Sequence, residues 1–218
     1  MKRAEKNKKS INEILSAAIK LYSKEGSNDI SINELCRENN ISKGKFYHYF
    51  SSKEELFEVA VSYVIDDLCR DVENFYVDPG SSLSDNLSRY YSARINYWFF
   101  HCDYFMIAYM LLASHDYELR QKFKPLRKKF DSALNSKTLE IIHAANIERN
   151  IPDNELLEVL KVVYDNMFLN DMYKIIVALN KGYTERAKRL SEDLLSLYKR
   201  LINVLLHGII ADKNKSKP

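Results

Sequence analysis

Residues 31–50 read SINELCRENNISKGKFYHYF, and the spacing within them sets the fold of the chain's first quarter. Ser31 and Glu34 make a capping box: the serine hydroxyl accepts from the third helical amide and the glutamate turns back to the cap. Ile32, Leu35 and Cys36 then predict a short helix over about 32–38 with one apolar face. Asn39 and Asn40 break it, and Ile41 fills the turn. Ser42 can cap a second short helix over about 43–49, where Phe46 and Phe50 stand four apart. Helices of about seven residues are marginal in water unless packed. Two of them across a turn of about three residues read as a helix-turn-helix. In such a unit the second helix enters a major groove with its N-terminal residues facing bases. Here it carries Lys43, Lys45, Tyr47, His48 and Tyr49 and no acid, and Gly44 leaves room for backbone to approach a phosphate. On residues alone, a helical hairpin with a polar face stays open beside that reading.

The flanks carry the same punctuation. Ser10/Glu13 and Ser52/Glu55 repeat the S-x-x-E box. The first predicts a helix from about Ile11 to Lys24, with Ile14, Leu15, Ala18, Leu21 and Tyr22 on one face and Gly26 as its stop. The last predicts a helix from Lys53 through Leu56, Phe57, Ala60, Val61, Val64, Ile65 and Leu68.

Glycine and proline together number 9 of 218, about 4% where ~12% is average, so the turns that a β-sandwich or barrel needs are missing. No window approaches ~18 uninterrupted apolar residues, which excludes a membrane helix, and MKRAEKNKKS does not lead into an apolar export segment. Three cysteines, Cys36, Cys69 and Cys102, form no C-x-x-C pair, which argues for a reducing cytoplasm over a disulfide framework. The net charge of +3 is unevenly placed. Residues 1–55 hold 11 Lys/Arg against 8 Asp/Glu, and the remaining residues hold 22 of each. A basic arm of this kind is a phosphate-binding candidate, with a merely solvated terminus as the competing reading.

ILSAAIKLYSKEG (14–26), SINEL (31–35), ISKGKFYHYF (41–50) and SKEEL (52–56) together resemble the DNA-binding domain of the TetR family of bacterial repressors. The resemblance spans about residues 10–58. It implies an all-α protein: a three-helix DNA-reading head, then a larger helical domain that binds a small inducer and dimerises. On that basis residues 1–52 are expected to form the helix-turn-helix domain with its basic arm. Residues 53–210 would form the regulatory and dimerisation domain, and 211–218 a basic tail. Tyr47 matches a tyrosine that commonly contacts phosphate, and Lys53 a lysine that commonly holds the DNA backbone. Ser31 and Ser42 match hydroxyls that cap helices and can touch phosphate. The family's common Thr-Leu-Tyr-Tyr-His-Phe runs here as Lys45-Phe46-Tyr47-His48-Tyr49-Phe50, so its histidine contact does not transfer to one residue. The expected DNA-binding residues are therefore Ser31, Ser42, Lys43, Gly44, Lys45, Tyr47, His48, Tyr49 and Lys53. Lys45 is the best base reader, since an ammonium can donate to guanine O6 and N7.

Beyond the fourth helix, Val77 to Ser82 is the clearest breaker, and helices are expected over about 83–100, 104–113, a stretch to about 150 interrupted near Pro125, 153–180 and 185–207, the last closed by Gly208. Leu190, Leu194, Leu197, Leu201 and Leu205, flanked by Tyr198, Ile202 and Leu206, make one stripe. Leu156, Leu160, Val163, Met167 and Phe168 make another. Faces this wide fit a four-helix interface between two copies, or the completion of a monomer core. The resemblance implies a homodimer through these last two helices. Two heads would then cover a palindromic operator in double-stranded DNA.

Residues 90–117 hold ten of the chain's 26 aromatics. Tyrosine hydroxyls need partners when buried, so a pocket for an apolar or planar ligand competes here with plain core. The ligand-binding candidates are Tyr90, Tyr97, Trp98, Tyr104, Phe105 and Tyr109. Enzyme and metal readings fare worse. Glu140 and His143 form a single E-x-x-H where a di-iron bundle needs two, and His101-Cys102-Asp103 has no spaced partner. No cofactor, metal or catalytic residue is expected. The expected function is a sequence-specific transcriptional repressor released by a small-molecule effector. The alternative is a dimeric regulator without a ligand, governed by a partner protein or by abundance.

Overall fold

The computed structural model describes residues 2–112, 116–145 and 151–209. Among these there are ten helices and no strand: α1 Lys2–Glu25, α2 Ile32–Glu38, α3 Lys43–Tyr49, α4 Lys53–Glu73, α5 Leu83–Phe100, α6 Cys102–Leu112, α7 Tyr117–Lys122, α8 Lys124–Ala144, α9 Asp153–Asn180 and α10 Thr184–Ile209. None of the described helices is long and apolar enough to cross a membrane. The expected tail 211–218 lies outside the described residues, as does most of the turn expected at 114–116.

Two expectations fail at helix ends. Ser10 does not start α1, which begins at Lys2, because residues 2–9 contain no Gly, Pro or β-branched residue to interrupt it. The basic arm is therefore the first two turns of a long helix. Gly208 does not close α10, which runs on to Ile209. Gly26 and Gly182 do end their helices, at φ +62° and +76°, the left-handed region that favours glycine. Pro125 does not make the break near residue 124. Phe123 closes α7, and proline sits in the first turn of α8, where its missing N–H costs nothing.

The chain divides into two compact units. Unit 1 comprises residues 1–68 and 101–128, and unit 2 comprises 69–100 and 129–218. The units cut across the division by role at residues 52/53, since α6 and α7 join the helix-turn-helix in unit 1. There α1 packs on α6 and on α2, and α2 on α3. Ile14, Ala18, Tyr22, Leu35, Phe46, Leu56 and Phe57 are buried. Phe57 meets Tyr22 and Phe123 edge-on, at 5.1 and 5.8 Å between centroids.

In unit 2, α10 packs against α9 and α5. The breaker before α5 is held by a buried amide: Asn86 Nδ2 donates to the Asp78 carbonyl at 2.7 Å, and Asp78 N–H donates to Asn86 Oδ1 at 3.1 Å. Lys137 is also buried, its ammonium donating to the Phe75 carbonyl at 3.1 Å and to Glu140 at 2.7 Å. Replacing Asn86 by Ala orphans the Asp78 N–H, while the Asp78 carbonyl keeps the Ser81 N–H at 3.2 Å. It should cost about 2 kcal/mol and lower the thermal midpoint by on the order of 5 °C, read by circular dichroism. An unchanged midpoint would show the loop to be held by other contacts.

Candidate nucleic-acid interface

Both short helices are capped as their serines predict. Ser31 Oγ accepts from Glu34 N–H at 3.3 Å and Ser42 Oγ from Lys45 N–H at 3.0 Å. The turn between them is closed from both sides. Asn39 Nδ2 donates to the Leu35 carbonyl at 2.9 Å, Asn40 takes φ +54°, and buried Ile41 donates its N–H to the Cys36 carbonyl at 2.9 Å. Ser52 caps α4 through Glu55 N–H at 3.2 Å. Glu55 reaches back one residue further than the box implies, accepting from Ser51 N–H at 2.6 Å. That bond and the Ser51 hydroxyl hold the Glu55 carboxyl below the usual range.

Within α3, Phe46 and Phe50 point into the core, with ring centroids 5.9 Å apart. Lys43, Gly44, Tyr47 and His48 are exposed, Tyr47 to 55%, and nothing lies within 4 Å of where a Cβ on Gly44 would stand. Lys45 and Tyr49 are half-buried because each is tied to α1. Lys45 Nζ donates to Glu13 Oε2 at 2.6 Å, and Tyr49 Oη donates to Asn7 Oδ1 at 3.2 Å. The hydrogen bond and charge of Lys45 hold the Glu13 carboxyl below its ordinary range. Lys53 donates to the Asp29 carboxylate, which raises the lysine's pKa.

The nine DNA-binding candidates thus lie on α3, at the N-caps of α2 and α3 and at the start of α4, all in unit 1. Their partners Asn7, Glu13 and Asp29 are missed by motif reading. They stand 24 to 42 positions away, and Glu13 looks locally like half of a capping box. Glu13 and Lys45 also line a groove between α1 and the α2–α3 turn, together with Lys8, Lys9 and Lys20.

The six ligand-binding candidates are divided between the two units. Tyr90, Tyr97 and Trp98 belong to unit 2 and Tyr104, Phe105 and Tyr109 to unit 1. Tyr90, Trp98 and Phe105 are buried. Phe105 stacks on Tyr109 at 5.8 Å, and Tyr104 lies edge-on to Tyr63 at 6.2 Å. Burial, with a hydrogen bond to Tyr63, pushes the Tyr104 hydroxyl pKa up. Unit 2 does contain a small cleft, partly open to solvent, with a cavity volume of about 40 Å³. Tyr90, Tyr91, Arg94, Asp131, Asn135 and Lys161 are among its lining residues, and Tyr90 is its one member from the six. Arg94 is 4% exposed, with its guanidinium 5.6 Å from the Tyr90 ring centre and 5.5 Å from that of Phe130. Glu140 is paired with Lys137, and His143 Nε2 lies 2.7 Å from Asp153 Oδ2, so each end of the E-x-x-H has a partner of its own.

Residues 14–60, from α1 through the turn and α3 into α4, match the family of bacterial regulatory proteins, tetR family. The match is to the TetR family, and it covers residues 14–60 alone. Over 53 residues this chain is 43% identical to the uncharacterized HTH-type transcriptional regulator YuxN of Bacillus subtilis (strain 168), covering 24% of this chain and 18% of YuxN. It is 27% identical over 146 residues to the uncharacterized HTH-type transcriptional regulator YerO of the same strain, covering 66% of this chain and 50% of YerO. The likeness therefore spans half or less of either relative. Among solved structures, the transcriptional regulator FadR from Bacillus subtilis in complex with stearoyl-CoA is 16% identical, with a TM-score of 0.55 over 85% of this chain and 96% of that one. At that identity the likeness is one of fold.

Ser42→Ala should uncap α3 at a cost of about 1 kcal/mol. Amide exchange at Phe46 and Tyr47 would then quicken by about fivefold. Unchanged protection would mean that the Ser42 hydroxyl contributes nothing to holding the helix.

Proposed function

We propose that the protein is a homodimeric, sequence-specific DNA-binding transcriptional regulator of the cytoplasm, a repressor released from a palindromic operator by a small apolar or aromatic ligand. The observation that carries the reading is the outer face of α3. It is exposed, free of acids, and framed by two capped helix starts, in the segment that matches a family of DNA-binding regulators. Lys45 is assigned to a base edge. Lys43, Gly44, Tyr47, His48, Tyr49, Lys53 and the hydroxyls of Ser31 and Ser42 complete the contact surface. Selection of duplexes by the full-length protein from a randomised library tests this. A palindrome should be enriched, and Lys43→Ala together with Tyr47→Phe should weaken all duplexes alike and flatten the salt dependence. Enrichment of no duplex would sink the reading.

Support for the dimer comes from α10, whose apolar residues divide into two faces. Ala187, Leu194, Tyr198, Ile202 and Leu206 are buried, with Tyr198 stacked on Tyr91 at 5.2 Å. Leu190, Leu197 and Leu201 are half-buried, and Val204 is 70% exposed, along an adjacent face that also contains Gly208. A glycine inside a helix costs about 1 kcal/mol relative to alanine and suits close approach of a second helix. On α9, Leu156 and Leu160 are buried, while the side chains of Val163, Met167 and Phe168 lie outside the described residues. Val204→Glu with Leu201→Glu should convert a dimer to a monomer by light scattering. A monomeric unmodified protein would remove this part of the proposal.

Ligand control draws on the cleft in unit 2 and on the related fold that carries stearoyl-CoA. An effector must bind the DNA-incompetent arrangement better than the competent one, by as much free energy as it takes from operator binding. That the cleft is lined by one of the six aromatic candidates, Tyr90, favours a second reading, in which the body has no ligand and only dimerises or meets a partner protein. Native mass spectrometry of protein purified from its own cells separates the two. A retained small molecule supports the effector, and bare protein supports the partner.

A further inference from the structure

We propose that Glu13 on α1 is a specificity-determining residue of the DNA-reading surface. It holds the Lys45 ammonium beside α3 so that it serves a base edge rather than any passing phosphate. The inference rests on the reading of α3 as DNA-facing. Lys45 Nζ and Glu13 Oε2 are 2.6 Å apart across 32 positions of sequence, with side chains 33% and 47% exposed. A pair this open to water contributes little to stability, so stability does not account for a carboxylate set against the DNA-facing helix. Its chemical consequence is larger. An ammonium has three N–H donors, and Glu13 takes one. Two remain, and guanine offers two acceptors in the major groove, O6 and N7. A phosphate is drawn chiefly by net charge, and towards it the pair is nearly neutral. Lys43, exposed on the same helix and without an ion pair among the described residues, keeps its full charge for the backbone. The groove around the pair holds Lys8, Lys9, Lys20 and Lys45 against Glu5 and Glu13. Removing the Glu13 charge would therefore strengthen an already basic surface towards every sequence.

The test uses full-length protein, the duplex it selects from a randomised library, and a random-sequence duplex pool, with anisotropy titrations between about 50 and 200 mM salt. Glu13→Gln keeps the helical position and the side-chain length while removing the charge. Its affinity for the random pool should rise, with a salt slope steeper by about 0.9. At about 0.1 M salt, selectivity for the chosen duplex should fall on the order of eightfold. Glu13→Asp should restore part of the selectivity. In a Lys45→Ala background, Glu13→Gln should leave selectivity unchanged, because the effect runs through the lysine. Equal changes in both affinities, or an effect that persists without Lys45, would overturn the assignment to Glu13. Failure of the unmodified protein to enrich any duplex would instead overturn the DNA-binding reading beneath it.

Discussion

Phe46 has no exposed surface, and the helix-turn-helix of unit 1 depends on that burial. Helices of seven residues have too few internal hydrogen bonds to offset their nucleation, so α2 and α3 persist because their apolar residues are sunk in a shared core. Burying a phenylalanine contributes about 1.5–3 kcal/mol, comparable to the whole margin of such a helix. The same burial fixes rotation about the helix axis. With Phe46 and Phe50 inward, positions 43, 44, 47 and 48 must face out, which is where the lysine, glycine, tyrosine and histidine stand.

Charge is arranged on that surface with more selectivity than a basic patch requires. Lys45 and Lys53 each rest on a carboxylate from another element of unit 1, while Lys43 makes no such pair among the described residues. Tyr49 is tied to α1 through Asn7, so the first turns of α1 both extend the basic surface and brace α3. The extra two turns of α1 thus belong structurally with the helix-turn-helix of unit 1.

Unit 2 is built on a different economy. Its core accepts polar groups, Asn86, Arg94, Lys137 and Thr138, each at 8% exposure or less. Such groups are tolerated because partners await them: the Asp78 backbone for Asn86, and the Phe75 carbonyl for Lys137. Arg94 lies over two aromatic rings at the edge of the cleft. Tyr91, which also lines that cleft, is stacked on Tyr198 of α10.

Local features were legible in the residues because their physics is local. Serine caps, 3/4 apolar spacing and the Asn-Asn break placed α2 and α3 at the bounds the structure has, and scarce glycine and proline marked an all-helical chain. Local signals also misled where a helix simply continued. Ser10 with Glu13 has the spacing of a start, yet good helix formers on its N-terminal side carry α1 back to Lys2, and Gly208 lies within a helix long enough to absorb it. The sequence by itself determined the helices and which face of each is apolar, since both follow from neighbours three and four residues apart. Only the tertiary structure decided which carboxylate meets Lys45, how the aromatic run divides between two units, and which leucines of α10 lie in its own core. Those outcomes depend on contacts between residues tens of positions apart, which no local period encodes.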